Sequence, residues 1–207
     1  MPEFYREIIN EEIYLAVWDI IETEIELEKE LSLSKQAIIK ISQRKSSVHR
    51  KGYLATRQLL KKLNVDPSAH QYDERGAPYL TDGRYISISH TKDKAVVAIA
   101  STPVGIDLEH YQDKIKKISQ RFLHKNEINE IKKHNDILYL TQIWTAKEAL
   151  YKIFRRRGIN FKKQICVTNF NINDSKGLGT IFFDNNTYKY HLYYRYFSDF
   201  CLTLATT

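Results

Sequence analysis

From Tyr188 to Tyr196 the chain alternates Tyr188, Tyr190, Leu192, Tyr194 and Tyr196 with Lys189, His191 and Arg195. Successive strand side chains point to opposite faces, so this period of two predicts a half-buried strand and not a platform for stacking bases. The pattern predicts further strands at residues 13–18, 85–89, 95–101, 104–109, 167–172, 180–183 and 200–205, with Thr102-Pro103 and Ser198-Asp199 as turns. Residues 34–63 have helical spacing instead. Ile38, Ile41, Leu59, Leu60 and Leu63 fall on a core stripe, Ser32 or Ser34 is placed to cap it, and Gly52 offers a break. Two more helices are predicted over 119–134 and 137–156, and Asp73 to Pro78 is turn chemistry. Strands and helices do not alternate as βαβ units. The order predicts an α+β fold and allows two similarly built halves meeting near residue 100.

Composition narrows the class. With 43% apolar residues in 207 the chain has enough surface to bury a core, which argues against intrinsic disorder. No apolar run approaches the ~20 residues of a membrane span, and the first residues do not read as a secretory leader. Two cysteines, Cys166 and Cys201, make neither a disulfide framework nor a Cys-rich zinc site. The expectation is a soluble cytoplasmic protein.

Charge changes the picture because its sign is segregated. The net charge is +7, yet residues 1–30 hold ten acidic and two basic side chains. Residues 31–65 hold no acid and carry Lys35, Lys40, Arg44, Lys45, Arg50, Lys51, Arg57, Lys61 and Lys62; residues 151–163 are also basic and acid-free. Such blocks suit an anionic partner, or equally a pair of solvated helix faces.

Three segments carry candidate chemistry. In Gly105-Ile106-Asp107-Leu108-Glu109, residues two apart on a strand put both carboxylates on one face, where a hard cation such as Mg²⁺, Mn²⁺ or Ca²⁺ would relieve their repulsion. Taken alone, the pair is also an ordinary strand end. In Trp144 to Lys152, Trp144, Glu148 and Lys152 share a helical stripe; Glu148 and Lys152 form either a surface ion pair or a carboxylate and a phosphate-binding cation. Ile86-Ser87-Ile88-Ser89-His90 ends a strand in a hydroxyl and an imidazole that can meet an anion. Neighbours on a strand face opposite ways, and no G-x-S-x-G elbow exists, so a Ser–His hydrolase is disfavoured.

These segments, together with Arg75-Gly76-Ala77-Pro78-Tyr79-Leu80 and Arg121-Phe122-Leu123-His124-Lys125-Asn126-Glu127, resemble in order and spacing the 4′-phosphopantetheinyl transferases of the longer, single-chain type. The resemblance covers roughly residues 45–165. It implies two similar halves related by a pseudo-two-fold axis, residues 1–101 and 102–207, each a small mostly antiparallel sheet packed with helices. They would form one compact monomer with the active site between the halves. It implies transfer of the phosphopantetheine arm of coenzyme A to a serine of an apo acyl or peptidyl carrier protein, releasing adenosine 3′,5′-bisphosphate.

The same resemblance assigns Mg²⁺, with Mn²⁺ as an alternative, to Asp107, Glu109 and Glu148. Glu148 would also take the serine proton, Glu127 would assist, and Lys152 would contact the pyrophosphate. Ser89, His90 and Arg50, with Lys51 and Arg57 behind it, would bind phosphates, and Arg75 and Gly76 would lie against the adenine. One position departs from the family: its Gly-Lys-Pro lysine is Ala77 here, and Arg75, Lys92 or Lys94 is the candidate substitute. The carrier would be acidic and would dock on residues 111–135 and 155–163, where Phe122, Leu123 and Phe154 are candidate apolar anchors or core residues. No nucleic acid or membrane partner is expected. Two rivals are a basic nucleic-acid-binding module and a non-catalytic binder of coenzyme A or carrier.

Overall fold

The structure, a computed structural model, describes residues 3–131, 137–168 and 171–207. Its chain divides into two compact units, residues 1–102 and 103–207.

In the first unit, strands β1 (Glu3–Ile9) and β2 (Ile13–Asp19) are followed by three helices: α1 (Glu24–Glu28), α2 (Lys35–Ser42) and α3 (Ser47–Lys62). Next come β3 (His70–Tyr72), β4 (Pro78–Leu80), β5 (Tyr85–His90) and β6 (Lys94–Ala100). The main sheet has the order β1-β2-β6-β5, all antiparallel, and β3 pairs only with β4. Leu54, Ala55, Leu59 and Leu60 of α3 pack on Ala16, Trp18, Ile86, Val97 and Ile99 of the sheet; of the stripe expected from the sequence, Leu59 and Leu60 are buried, Ile41 and Leu63 are partly buried against this core, and Ile38 is 54% exposed.

The helix expected over 34–63 breaks at a different place. The chain leaves helical geometry between Ser42 and Ser47, and Gly52 lies inside α3. Arg50 explains the site of the break: its Nη1 donates to the carbonyls of Arg44 and Lys45, which the interruption leaves free (2.8 and 3.0 Å). Gly52 serves packing instead. A Cβ there would come within 2.9 Å of the His90 ring, so the glycine lets β5 end its strand against α3.

The second unit begins with β7 (Val104–His110) and the helices α4 (Lys114–Phe122), α5 (Lys125–Ile131), α6 (Ile137–Phe154) and α7 (Phe161–Gln164). Strands β8 (Ile165–Thr168), β9 (Lys176–Phe183), β10 (Asn186–Tyr196) and β11 (Phe200–Thr206) complete it. The sheet order is β7-β11-β10-β9-β8, again antiparallel. The β9–β10 hairpin turns through Asp184 and Asn185, both with positive φ (49° and 60°), a geometry Asn and Asp tolerate. Tyr190, Leu192 and Tyr194 face a core shared with Ala146, Ala149 and Leu150 of α6, as their alternation predicted.

The helix expected over 119–134 is two helices, and its last residues lie outside the described ones. Leu123 is extended, and the Glu127 carboxylate accepts from the His124 backbone N–H at 2.6 Å, starting a new helix. The strand expected over 167–172 begins at Ile165, and residues 169–170 lie outside the described ones. Both units thus consist of an antiparallel sheet with helices packed on it, an α+β fold.

Candidate functional site

The second unit gathers the acidic candidates onto one helix and one strand. Gly105 determines how close those elements come: a Cβ built on it would sit 2.1 Å from the Ala149 carbonyl oxygen and 2.8 Å from the Ile153 nitrogen. Only glycine allows the α6 backbone to lie directly on β7. On α6, Thr145 shares a 2.8 Å hydrogen bond with Thr203 of β11, the strand that pairs Asp107 with Thr203 and Glu109 with Cys201. Helix and strand are therefore locked in register. Glu148 and Lys152, one turn apart, face the carboxylates of β7.

Lys152 joins the two elements. Its Nζ donates to the Asp107 Oδ1 and to the Ile106 carbonyl, each at 2.8 Å. Asp107 is buried, and Glu109 and Glu148 are half-buried. Burial, with the neighbouring Asp107 and Glu109 carboxylates, pushes Glu148 up to about 7, against the pull of Lys152. Glu109 is raised by burial and then by Asp107, and the Trp144 side chain hydrogen-bonds it in the opposing direction. The stripe of Trp144, Glu148 and Lys152 read from the sequence therefore faces the metal-site candidates and is not a solvent-side ion pair.

The donor set suits a hard divalent cation. Three carboxylates supply only oxygen, and each half-buried one is held toward its neutral form by its neighbours, a repulsion that a cation would relieve. Among the described residues, no choice of one oxygen from each of the three brings all within 4.8 Å of one another. Ligands of one octahedral Mg²⁺, at about 2.1 Å from it, lie no more than ~4.2 Å apart, so in this arrangement at most two of the three carboxylates share an ion, with water and phosphate completing the shell and the third joining only by a side-chain movement. Beside Glu148 lies a cavity of about 410 Å³ whose walls are Ile118, Phe122, Trp144 and Phe161, with Arg121 the cation among them.

Glu127 has other neighbours. It is 2% exposed, and its carboxylate accepts from the Lys147 ammonium (2.8 Å), the His124 N–H and the Val167 N–H (2.8 Å). Lys147, fully buried, also donates to the carbonyls of Phe122, Phe161 and Ile165. Burial pushes Glu127 up and Lys147 down, and this network of donors and acceptors opposes both shifts. Lys147 went unassigned in the sequence, although a lysine among Ile143, Ala146 and Leu150 was a visible anomaly.

The first unit holds the anion-binding candidates. Arg50 directs Nε and Nη2 at the Glu24 carboxylate (2.7 and 3.0 Å) and Nη1 at the two carbonyls described above. Arg75 and Gly76 sit in an exposed turn built by Asp73, whose carboxylate accepts from the N–H groups of Arg75 and Ala77 (2.9 and 2.8 Å); Gly76 has φ +80°. Ser89 is half-buried and His90 exposed at the end of β5, with the His49 ring 6.2 Å from that of His90. Lys94 is buried on Asp19, whereas Lys92 is exposed. One expectation changes: Arg57 is buried and does not belong to the open basic face. Of the two alternatives for Phe122 and Leu123, the core one holds, since both are buried with Tyr139, Leu140 and Ile143, whereas Phe154 is half-buried.

The model of the 4′-phosphopantetheinyl transferase superfamily matches residues 103–205, and that of the 4′-phosphopantetheinyl transferase N-terminal domain matches residues 34–100. The chain belongs to the 4′-phosphopantetheinyl transferase superfamily. Among curated relatives, it is similar to 4′-phosphopantetheinyl transferase gsp of Aneurinibacillus migulanus, 29% identical over 104 residues, which are 48% of this chain and 44% of the relative. It is 31% identical to ffp of Bacillus subtilis over 96 residues (45% and 42%) and 29% identical to Sfp of Bacillus subtilis strain 168 over 96 residues (45% and 42%). These matches span less than half the length of each relative. Among the described residues of this superfamily member, no helix is long and apolar enough to cross a membrane.

Proposed function

We propose that the chain transfers the 4′-phosphopantetheine arm of coenzyme A to a serine of an apo acyl or peptidyl carrier protein and releases adenosine 3′,5′-bisphosphate. The observation that carries this reading is the meeting of Asp107, Glu109, Glu148 and Lys152 on β7 and α6 in a chain of this superfamily. Asp107, Glu109 and Glu148 would hold Mg²⁺, or Mn²⁺ in its place. When bound, the ion would neutralise pyrophosphate charge and orient it for in-line attack.

The chain's own groups do the rest. Glu148, directly or through a water, takes the proton from the serine hydroxyl as the new P–O bond forms. The bridging P–O bond breaks, and its electron pair leaves on the nucleotide phosphate, where the Lys152 ammonium stabilises the charge. Glu127, tied to Lys147, would assist by ordering the shell of the site from the start of α5 and β8 beside this helix. In the first unit, Ser89 and His90 receive the 3′-phosphate side of coenzyme A and the Arg75–Gly76 turn lies against adenine. Arg50 contributes to phosphate only by leaving Glu24. The acidic carrier approaches over the basic residues of 111–135, of which 132–135 lie outside the described residues, and of 155–163, in a soluble, cytoplasmic setting.

Intact-mass analysis of an apo carrier protein incubated with the enzyme, coenzyme A and Mg²⁺ tests the reading. A gain of one phosphopantetheine group is expected, and Asp107→Ala and Glu148→Gln should each abolish it while circular dichroism stays native. A folded enzyme that binds coenzyme A but modifies no carrier would point instead to a non-catalytic binder. Salt-dependent retention on nucleic acid without coenzyme A binding would point to the nucleic-acid module.

A further inference from the structure

The first unit contains another cavity, of about 180 Å³; of the residues expected from the sequence to meet coenzyme A it includes only Arg57, which its burial removes from the open basic face. Leu33, Ala37, Leu60 and Val65 make apolar walls, and the exposed Glu30, Ser32 and Lys61 stand at its rim, Glu30 paired with Lys61 at 3.5 Å, so it is open to solvent. The buried charge among its lining residues is Arg57, 7% exposed.

Arg57 is incompletely satisfied. Its Nη2 donates to the Tyr53 hydroxyl at 2.6 Å and its Nη1 reaches the Pro67 carbonyl at a long 3.4 Å, while Nε has no hydrogen-bond partner. A buried donor left without an acceptor is destabilising, more so when it carries charge. Its surroundings add positive charge. The Arg44 guanidinium lies over the Tyr53 ring (4.5 Å), and the Lys40 ammonium lies over the Tyr72 ring (3.5 Å). His70 on β3, 2% exposed, has no hydrogen-bond partner on either ring nitrogen. The charged groups acting on His70 are Arg57 and Lys40, and those acting on Lys40 are Arg44 and Arg57; no carboxylate is among them.

A desolvated guanidinium beside two further cations, with its Nε unpartnered, selects for an anion, since the acid of the lining, Glu30, is exposed and paired with Lys61. The planar fork of a guanidinium matches a carboxylate in two parallel hydrogen bonds. The apolar walls disfavour a fully hydrated phosphate and favour an alkyl chain. Size sets the limit: at about 30 Å³ per water-sized unit, the space takes roughly six, far below coenzyme A or a pantetheine arm. We propose that this cavity binds a short-chain aliphatic carboxylate, its head on the Arg57 guanidinium and its chain against Leu33, Leu60 and Val65.

The test is an NMR titration of the full-length protein with butyrate, 1-butanol and inorganic phosphate, following backbone amides of α2, α3 and β3. Butyrate should shift them saturably, and the neutral isostere and phosphate should not at equal concentration. Ala37→Leu, which fills the cavity and leaves Arg57 in place, should raise the butyrate Kd roughly tenfold or more, as should Arg57→Met. If Arg57→Met does not fold, Ala37→Leu decides alone. Absence of saturable butyrate binding, equal response to butanol, saturation by phosphate, or unchanged affinity in folded Ala37→Leu would each overturn the proposal. The assay contains neither coenzyme A nor carrier, so its outcome is independent of the transferase reading.

Discussion

Glu148 illustrates how a residue's neighbours change its chemistry. In the sequence it is one half of an i,i+4 pair with Lys152; in the fold, Lys152 turns to Asp107 and Glu148 is left beside two other carboxylates. Its folded pKa of about 7 lies above its ordinary value of 4.5, so the folded state binds the proton more tightly. The associated stability is fully present below the ordinary value and is lost as pH rises through about 7. Glu148→Gln should therefore raise the melting temperature of the metal-free protein at pH 8 but hardly at pH 4.5, as pH-resolved thermal denaturation would read. A stabilisation independent of pH would contradict this account.

Ala77 belongs to the same scale. Its N–H is held by Asp73 in a turn whose neighbours are exposed, so a longer side chain meets no obstruction in forming the turn. Ala77→Lys should lower the coenzyme A dissociation constant in calorimetry. An unchanged or raised value would mean that no phosphate contact is missing there.

Between elements, the decisive approach is that of α6 to β7. Gly105→Ala must push Ala149 and Ile153 away, an overpacking cost of roughly 1–3 kcal/mol, and it displaces Glu148 and Lys152 from Asp107. The expected result is a lower urea midpoint together with weakened Mg²⁺ affinity; loss of stability alone would separate the packing from the site. The Lys147–Glu127 pair ties α6, α5 and β8 in a different way. Lys147→Met leaves a buried carboxylate and should cost roughly 3–5 kcal/mol in urea unfolding, whereas the double variant Glu127→Gln/Lys147→Met should cost less. Both substitutions should spare residual transfer chemistry in whatever fraction stays folded, since neither removes a metal candidate. The elements themselves were largely readable: the alternation of β10 and the stripes of α3 and α6 follow from burying one face of a strand or helix. Where expectation and structure parted, at residues 43–46 and at Leu123, a nearby polar side chain took the backbone groups: Arg50 the carbonyls of Arg44 and Lys45, and Glu127 the N–H of His124. Hydrophobic spacing does not register such polar competition, even from a few residues away.

Across the whole chain, the proposed function gives the segregated charge a motive. On that reading, the net charge of +7 and the basic blocks would bring an acidic carrier in by long-range attraction, which salt screens within about 10 Å at 0.1 M. The kcat/KM for the carrier should fall steeply between low and high ionic strength while KM for coenzyme A changes less. A flat profile would remove the functional motive for the segregation of charge.

The order of strands and helices, the two-part organisation and the family motifs are properties of the linear chain, because periodicity and motif spacing are local and survive without any partner. The proximity of Asp107, Glu109, Glu148 and Lys152 is not local: it depends on a glycine that lets two backbones touch and on a threonine pair that holds their register. The same is true of the roles that changed. Glu127 and Lys147 became a buried pair, Arg50 turned to Glu24, and Arg57 entered a cavity, because burial and competition for donors are settled only when distant segments pack.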